Sequence, residues 1–254
     1  MSRLYAQTKG SGATTIVLLH GFGGYHGDWT DIQPELAHDA RVIAYDLPGH
    51  GHSLHTPGAG SATAAAKAVL ADLDARGIVS AHIAGFSMGG AIATLIALRA
   101  PDRVASLTLL APGGFGPEIN GPLLDRFAIA GHGDLREAMD AMSAPGFATL
   151  TRDIAAVSAV HGAPGQREKL AEIAGIIAKD SRQGEIPRAQ MATLKMPVTV
   201  VWGDADPVLP YHHTRDLPPG FQLETLPGKG HMLLTEARRT VTSAIRRTVR
   251  KAGG

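Results

Sequence analysis

The stretch Ala81–Ala100, AHIAGFSMGGAIATLIALRA, decides the fold. Its first four residues form a short, nearly continuous apolar run, which is typical of a strand buried on both faces of a sheet. GFSMG follows at residues 85–89, and Met88–Ala100 is small and apolar nearly all round, which predicts a packed helix that ends before Pro101. A serine between glycines at a turn from strand to helix is typical of a nucleophile in a strained backbone conformation.

Similar short runs recur along the chain and alternate with helical patterns such as Ala64–Arg76 and Glu236–Lys251. This alternation predicts an α/β fold with a doubly wound, mostly parallel sheet of about seven to eight strands. Ligands of such sheets bind outside the carboxyl ends of the strands, where the glycines of this chain cluster. The predicted strands, apart from the first four residues quoted above, are Leu4–Thr8, Thr15–His20, Arg41–Tyr45, Ser106–Leu110, Val198–Trp202 and Gln222–Leu226.

The alternation stops between about Phe115 and Gln190, where helical patterns follow one another without a convincing strand. We therefore predict a core of residues 1–114 and 191–254 and an all-helical lid of residues 115–190 over the strand ends. The apolar side chains of this segment suggest a mainly apolar pocket, or else the packing of the lid itself. The predicted lid helices are Pro122–Ala130, Asp134–Met142, Phe147–Val160 and Gln166–Lys179.

Composition excludes several classes of function. The 254 residues carry 24 Lys and Arg against 23 Asp and Glu, so no basic surface for nucleic acid or acidic lipid is expected. The chain has no cysteine, which excludes disulfides, thiolate metal sites and a cysteine nucleophile. Residues 1–10 lack the apolar run of a signal peptide, and no stretch approaches the ~20 apolar residues of a spanning helix. We expect a soluble, cytoplasmic protein that binds a small molecule; the sequence leaves its oligomeric state open.

Two later turns supply candidate partners for Ser87. A serine hydroxyl needs an adjacent base, and that base needs an orienting carboxylate. The turn GDADP follows the strand that ends at Trp202, and His231 follows the next strand through a glycine-rich turn. His231 is the predicted base. Spacing alone leaves two acids open, and we favour Asp206 because Asp204 is better placed to brace its own turn.

Two backbone N–H groups are candidates for stabilising the oxyanion that forms during attack on a carbonyl. Where a serine nucleophile lies on a turn from strand to helix in such a sheet, one donor is the residue after the nucleophile, and the other follows the first buried strand. These donors are the amides of Met88 and Phe22, and the latter lies in the glycine-rich segment HGFGG at residues 20–24.

These motifs resemble those of the α/β-hydrolase superfamily over nearly the whole chain. YDLPGHGHS at residues 45–53 matches the family's D-x-P-G-H-G-x-S loop. WGDADPVLP at residues 202–210 resembles the family's W-G-x-x-D-x-x-x-P, in which the Asp is the triad acid. This Asp corresponds to Asp206, so the resemblance favours Asp206 over Asp204. It implies a Ser-His-Asp triad of Ser87, His231 and Asp206 and no cofactor.

A narrower resemblance involves LTLLAPGGFGPEIN at residues 107–120 together with GHM at residues 230–232. These segments are similar to the hydrolase-like domain in E2 components of acetoin dehydrogenase complexes, which carry an N-terminal lipoyl domain. Because the first buried strand begins near Thr15, we expect no lipoyl domain before it and therefore a free-standing hydrolase.

Meta-cleavage C–C bond hydrolases are a neighbouring family. They have Asn before the nucleophile and Trp after the histidine, where this chain has Phe86 and Met232. Haloalkane dehalogenases and epoxide hydrolases of this fold have Asp in place of the serine.

Histidine-rich segments raise the alternative of a metal site. His50, His52 and His55 resemble histidine-rich hydrolase loops, but the Asp that usually joins such a cluster is missing; His212 and His213 would point apart on a regular strand. We therefore predict no metal. The predicted function is a carboxylesterase-like serine hydrolase acting on an ester or related acyl substrate, with acyltransferase and C–C bond hydrolase as alternatives and a non-catalytic binding protein as the other class.

Overall fold

A seven-stranded sheet forms the centre of residues 3–253, which the computed structural model describes apart from the side chain of His132. The strand order is β1-β3-β2-β4-β5-β6-β7, and every neighbouring pair is parallel except β1 with β3. This confirms the predicted α/β fold. The strands are β1 (Ala6–Lys9), β2 (Thr15–Leu19), β3 (Arg41–Tyr45), β4 (Ala81–Phe86), β5 (Val104–Leu110), β6 (Val198–Gly203) and β7 (Phe221–Leu226).

Helices cover both faces of the sheet, as continuous apolar strands require. Before β5 these are α1 (Gln33–Leu36), α2 (Ala62–Ala75) and α3 (Met88–Arg99). The Ser61 side chain accepts the N–H of Ala64 and so caps the first turn of α2. That helix ends before Gly77, whose φ of +68° is the left-handed conformation typical of the residue after a helix.

Between β5 and β6 the chain forms helices only, apart from an isolated bridge between Glu118 and Arg182 in the described residues. We call residues 115–190 the helical insertion. Its helix α6 begins four residues later than the pattern predicted, because the Thr149 N–H donates to Asp140 Oδ1 rather than within a helix. The helices are α4 (Gly121–Ile129), α5 (His132–Ala141), α6 (Thr151–His161), α7 (Gln166–Ile177) and α8 (Arg188–Met191).

The last two helices are α9 (Leu233–Glu236) and α10 (Arg238–Lys251); the predicted helix Glu236–Lys251 corresponds to α10, and α9 was not predicted. Valine, alanine and isoleucine of α10 face the sheet, as its apolar stripe predicted. Short 3-10 helices at His26–Trp29 and Tyr211–Thr214 lie in loops near the carboxyl ends of the strands. Between residues 3 and 253, no helix combines the length and the apolar character needed to cross a membrane.

Candidate active site

Ser87 occupies a sharp turn between β4 and α3, as the sequence predicted. Its φ of 52° and ψ of −117° lie outside the regions that non-glycine residues ordinarily occupy, a strain of about 1–3 kcal/mol. Hydrogen bonds hold the turn, because the Ser87 N–H donates to Leu110 O at 2.9 Å. Glycine is required on both sides: a Cβ on Gly85 would lie 2.3 Å from Gly89 O, and one on Gly89 would lie 2.4 Å from Leu19 O.

A chain of hydrogen bonds joins Ser87 to a histidine and a carboxylate. Ser87 Oγ lies 3.0 Å from His231 Nε2, and His231 Nδ1 lies 2.8 Å from Asp206 Oδ2. The Asp206 side chain is fully buried, and the His231 ring packs against Phe86 with ring centroids 5.0 Å apart. The contact with Asp206 fixes the proton on Nδ1, which leaves the Nε2 lone pair directed at the serine hydroxyl.

The two aspartates of the β6 turn have different partners. Asp206 contacts His231 through Oδ2, while its Oδ1 accepts the N–H groups of Val208 at 2.8 Å and Leu209 at 2.9 Å. Asp204 is exposed, and its Oδ1 accepts the Gly228 N–H at 2.7 Å, so it braces the neighbouring turn. The structure thus brings Asp206 to the histidine and leaves Asp204 outside the cluster.

The predicted oxyanion donors lie beside Ser87. Phe22 and Met88 line the same cavity as the serine, and within residues 3–253 neither backbone N–H has a hydrogen-bond acceptor. The peptide next to Phe22 is held on both sides. The N–H of Gly23 donates to His50 Nε2 at 3.2 Å, and its carbonyl oxygen lies 2.8 Å from Nε2 of His161 in α6.

Sequence reasoning missed this bracing of Gly23 by His50 and His161, and it also missed the contacts of His20 close by; all three histidines are buried. His20 Nδ1 donates to Gly21 O and its Nε2 accepts the Leu47 N–H, while His50 Nδ1 donates to Pro48 O. Burial lowers the pKa of His20 to about 4 and that of His50 to about 3. The sequence signal is the pair of segments HGFGG and PGHG, which place one histidine in the loop after each of two neighbouring strands.

A cavity of about 440 Å³ lies between Ser87 and the helical insertion. One part of its wall is apolar, with Phe127, Met139, Met142 and Val157 contributed by the insertion. Sequence reasoning suggested this apolar character, and the side chains serve both interpretations: they line the cavity and pack against the hydrophobic core.

Another part of the wall is ionic, which the sequence did not indicate. Arg238 Nη1 lies 2.6 Å from Asp31 Oδ2, and its Nη2 lies 2.8 Å from Asp153 Oδ2 in α6. Arg152 of α6 also pairs with Asp31. The Arg238 side chain is only 24% exposed and joins the core to the insertion, so it does not lie on a solvated face of the last helix.

A carboxyl group with an unusual environment also lines this cavity. Asp28 follows the glycine-rich loop, and its Oδ2 accepts the Tyr25 N–H over a long 3.4 Å. Burial, with a smaller contribution from the charge of Asp46, raises the pKa of Asp28 to about 7. No feature of the sequence singled this residue out.

Residues 14–159 match the sequence model of a family described as the alpha/beta hydrolase fold. The chain belongs to the α/β-hydrolase family. It is 39% identical over 246 residues to the dihydrolipoyllysine-residue acetyltransferase component of the acetoin cleaving system of Pseudomonas putida, covering 95% of this chain and 65% of that protein. The corresponding component from Cupriavidus necator is 34% identical and is covered over 60% of its length. This confirms the narrower resemblance, and the chain spans less than two thirds of these relatives.

Other relatives carry different names. A 2-hydroxy-6-oxononadienedioate/2-hydroxy-6-oxononatrienedioate hydrolase of Cupriavidus pinatubonensis is 29% identical, covering 82% of this chain and 76% of that protein. Among solved structures, a meta-cleavage product hydrolase from Pseudomonas fluorescens superposes with a TM-score of 0.86 at 20% identity, covering 98% of this α/β-hydrolase and 94% of that chain. A putative lipase from Acinetobacter baumannii gives a TM-score of 0.83 at 23% identity, covering 98% and 87%.

Two groups of histidines and carboxylates could hold a metal ion in this α/β-hydrolase. Each of them changes what the sequence predicted for the histidine-rich segments. His212 and His213 lie in a 3-10 helix rather than a strand, so they do not point apart. Their Nε2 atoms lie 3.3 and 2.7 Å from the two oxygens of Glu118. His213 Nδ1 is buried without a partner in the described part of the chain, whereas metal-bound histidines ordinarily donate their second N–H.

The second group contains the aspartate that the sequence pattern lacked. Asp46 Oδ1 lies 2.8 Å from His26 Nδ1, and its Oδ2 lies 3.1 Å from His52 Nδ1. The same oxygens accept the backbone N–H groups of both histidines. Although burial opposes its ionisation, hydrogen bonds from His26 and the backbone hold the pKa of Asp46 below its usual range. A cation would have to displace these donors, so the geometry is that of a hydrogen-bonded structural group.

Proposed function

We propose that this α/β-hydrolase is a carboxylesterase-like serine hydrolase that cleaves an ester or related small acyl substrate through an acyl-enzyme. The observation that carries the proposal is the continuous chain of hydrogen bonds from Asp206 through His231 to Ser87, with distances of 2.8 and 3.0 Å. A nucleophile within reach of a base, and a base oriented by a third group, is the arrangement that activates a serine hydroxyl.

In the first half-reaction Ser87 Oγ attacks the substrate carbonyl carbon, and its proton passes to His231 Nε2. Asp206 stabilises the imidazolium that forms, and the N–H groups of Phe22 and Met88 donate to the developing oxyanion. The tetrahedral intermediate collapses when His231 returns the proton to the leaving alcohol. The products are that alcohol and an ester between the acyl group and Ser87.

In the second half-reaction His231 removes a proton from water, and the resulting hydroxide attacks the acyl carbonyl. The second tetrahedral intermediate releases a carboxylic acid and regenerates the Ser87 hydroxyl with the proton from His231. No cofactor is needed for either half-reaction.

We further propose that residues 115–190 act as a lid on a core of residues 1–114 and 191–254. The support is that Phe127 and Met139 of this segment line the cavity beside Ser87 and that the carbonyl oxygen of Met142 accepts the His231 N–H at 3.0 Å. The apolar part of the wall favours an apolar acyl or alcohol group. Assays with p-nitrophenyl esters of increasing acyl length should therefore show rising kcat/KM up to the length that fills the cavity.

Acyl transfer is the second candidate, because the two relatives at 39% and 34% identity are named as acetyltransferase components. The same acyl-enzyme yields a new ester or thioester when an alcohol or thiol, rather than water, attacks it. Incubation with an acyl donor and increasing thiol separates the two: a constant hydrolysis product supports hydrolysis, and a thioester that replaces the acid supports transfer. A C–C cleavage substrate in the same assay tests the activity named for the relative at 29% identity.

The decisive experiment is Ser87→Ala. If the three residues act as a unit, kcat should fall by on the order of 10⁶, and a fluorophosphonate probe should label the parent protein but not the variant. Ser80→Ala is the matched control, because Ser80 is exposed on the loop before β4. A Ser87→Ala protein that keeps most of its activity would contradict the proposal.

A further inference from the structure

Glu236 is a buried carboxylate to which the triad assigns no role. It lies at the end of α9 and is only 8% exposed. Both of its oxygens accept backbone N–H groups: Oε2 accepts those of Gly230 at 2.9 Å and Ala144 at 3.1 Å, and Oε1 accepts that of Met232 at 3.1 Å. Hydrogen bonds to an ionised acceptor are stronger than those between neutral groups, so one side chain satisfies three buried or half-buried donors.

The positions of these donors give the contacts their meaning. Gly230 and Met232 are the residues on either side of His231, so the carboxylate holds the peptide groups before and after the proposed base. The turn that leads into His231 contains two glycines, one of them Gly228 with a φ of +65°, and glycine resists conformational change less than other residues do. Contacts from residues outside the turn are therefore needed to keep the His231 imidazole at 3.0 Å from Ser87 Oγ.

The third donor, Ala144, belongs to the helical insertion rather than to the core. A second link runs beside it, because the His231 N–H donates to Met142 O at 3.0 Å. The two segments pack closely: a Cβ on Gly230 would lie 2.3 Å from the Ala144 nitrogen. The histidine turn and residues 142–144 are thus joined backbone to backbone, and Glu236 bonds to both.

We propose that Glu236 is a positioning residue that holds the His231 turn against residues 142–144 of the insertion and so keeps Nε2 aligned with Ser87 Oγ. The inference rests on the proposed function, because it needs His231 to be the base. It adds that the alignment of the base depends on the seating of the insertion. A carboxylate that only stabilised the fold would leave the turnover of each correctly folded active site unchanged.

The test compares Glu236→Gln with Asp204→Asn. The glutamine keeps one oxygen, but its amide NH₂ meets a backbone N–H that the carboxylate accepted. Asp204 is the matched control, since its carboxylate accepts one N–H in the same turn but none next to His231. Active sites are counted with a fluorophosphonate probe, and kcat and KM are measured per counted site with a p-nitrophenyl ester.

For Glu236→Gln we expect kcat per site to fall about tenfold to a hundredfold, as displacements of about 1 Å do, with KM little changed. Amide hydrogen exchange, followed by mass spectrometry, should become faster together in peptides covering residues 142–146 and 228–233. Asp204→Asn should keep its kcat and alter exchange only in the second peptide. If the glutamine variant does not fold, Glu236→Asp serves instead: it keeps the charge but is one methylene too short for all three donors, and it should lose part of kcat.

Unchanged kcat per site in folded Glu236→Gln or Glu236→Asp would overturn the inference, and so would faster exchange in only one of the two peptides. These outcomes differ from a failure of the proposed function. If Ser87→Ala remained active, the triad itself and this inference would both fall. If Ser87→Ala were inactive and the Glu236 variants fully active per site, only the positioning role would be wrong.

Discussion

Replacing Asp206 with asparagine tests the proposed mechanism at one atom. The two side chains have nearly the same shape, and the asparagine oxygen can keep the contacts with the Val208 and Leu209 N–H groups. Its NH₂ group then takes the place of Oδ2, 2.8 Å from His231 Nδ1. Two N–H donors cannot face each other, so the imidazole must move its proton to Nε2. That proton points at Ser87 Oγ, and the ring can no longer accept the serine proton.

The size of the expected effect follows from this tautomer. A triad histidine held in the wrong tautomer loses on the order of 10⁴ in kcat, which corresponds to a barrier higher by about 5.5 kcal/mol. KM should change little, because the cavity that holds the substrate is unaltered. Since two of the three hydrogen bonds survive and the third becomes a weaker bond between a neutral amide and a neutral imidazole, the free energy of unfolding should fall by only about 1–2 kcal/mol.

Steady-state hydrolysis of a p-nitrophenyl ester by Asp206→Asn and Asp204→Asn provides the assay, with thermal unfolding to confirm that both variants fold. Asp204→Asn should keep nearly the parental kcat, because its carboxylate braces only the Gly228 turn. The reasoning is refuted if Asp206→Asn retains activity within about tenfold of the parent, or if Asp204→Asn is the more damaging change.

Three further predictions concern stability. Gly89→Ala places a Cβ 2.4 Å from a carbonyl oxygen of β2 and should lower the free energy of unfolding by about 1–3 kcal/mol or more in urea titrations, whereas Gly175→Ala, with open space around its Cβ, should be neutral or stabilising. The pKa values of His20 and His50 are lowered to about 4 and 3 in the folded protein, so below pH 6.5 the unfolded state binds more protons than the folded state does. As the pH falls towards 4, each histidine should therefore lower the free energy of unfolding by up to about 1.4 kcal/mol per pH unit. Asp28 has a pKa raised to about 7, so between pH 7 and 4 it binds a proton in the folded state and stabilises the fold as the pH falls. Asp28→Asn removes this contribution, so its free energy of unfolding should fall more steeply with acid than that of the parent. An unchanged slope would show that the pKa of this carboxyl is not raised.

The fold was predictable because its signals are local. The strands β2 to β6 are short apolar runs buried on both faces, and such runs alternate with helices only in α/β folds. The turn around Ser87 is local too, since the glycines that it needs lie within three residues of the serine. The meeting of Ser87, Asp206 and His231 followed from one rule, that parallel strands end at the same edge of the sheet.

The remaining features of the candidate site depend on contacts between residues that are distant in sequence. Glu236 reaches Ala144 across 92 residues, and Arg238 reaches Asp153 across 85. In the sequence both look like ordinary members of an amphipathic helix, because no periodicity records what an insertion places opposite them. The wrong prediction for His212 has a simpler cause: the segment forms a 3-10 helix, in which neighbouring side chains need not alternate.

The helical insertion makes hydrogen bonds to both halves of the proposed machinery, the loop that carries one oxyanion donor and the turn of the base. His161 of α6 bonds the Gly23 carbonyl beside one oxyanion donor, while Met142 and Ala144 hold the turn of the base directly and through Glu236. The same insertion supplies the apolar wall of the cavity. Under the proposed function, the segment that selects the substrate therefore also aligns the groups that act on it. Substitutions in the insertion that shift its seating should then change kcat together with KM, whereas those that alter only an apolar wall residue should change KM and the preferred acyl length.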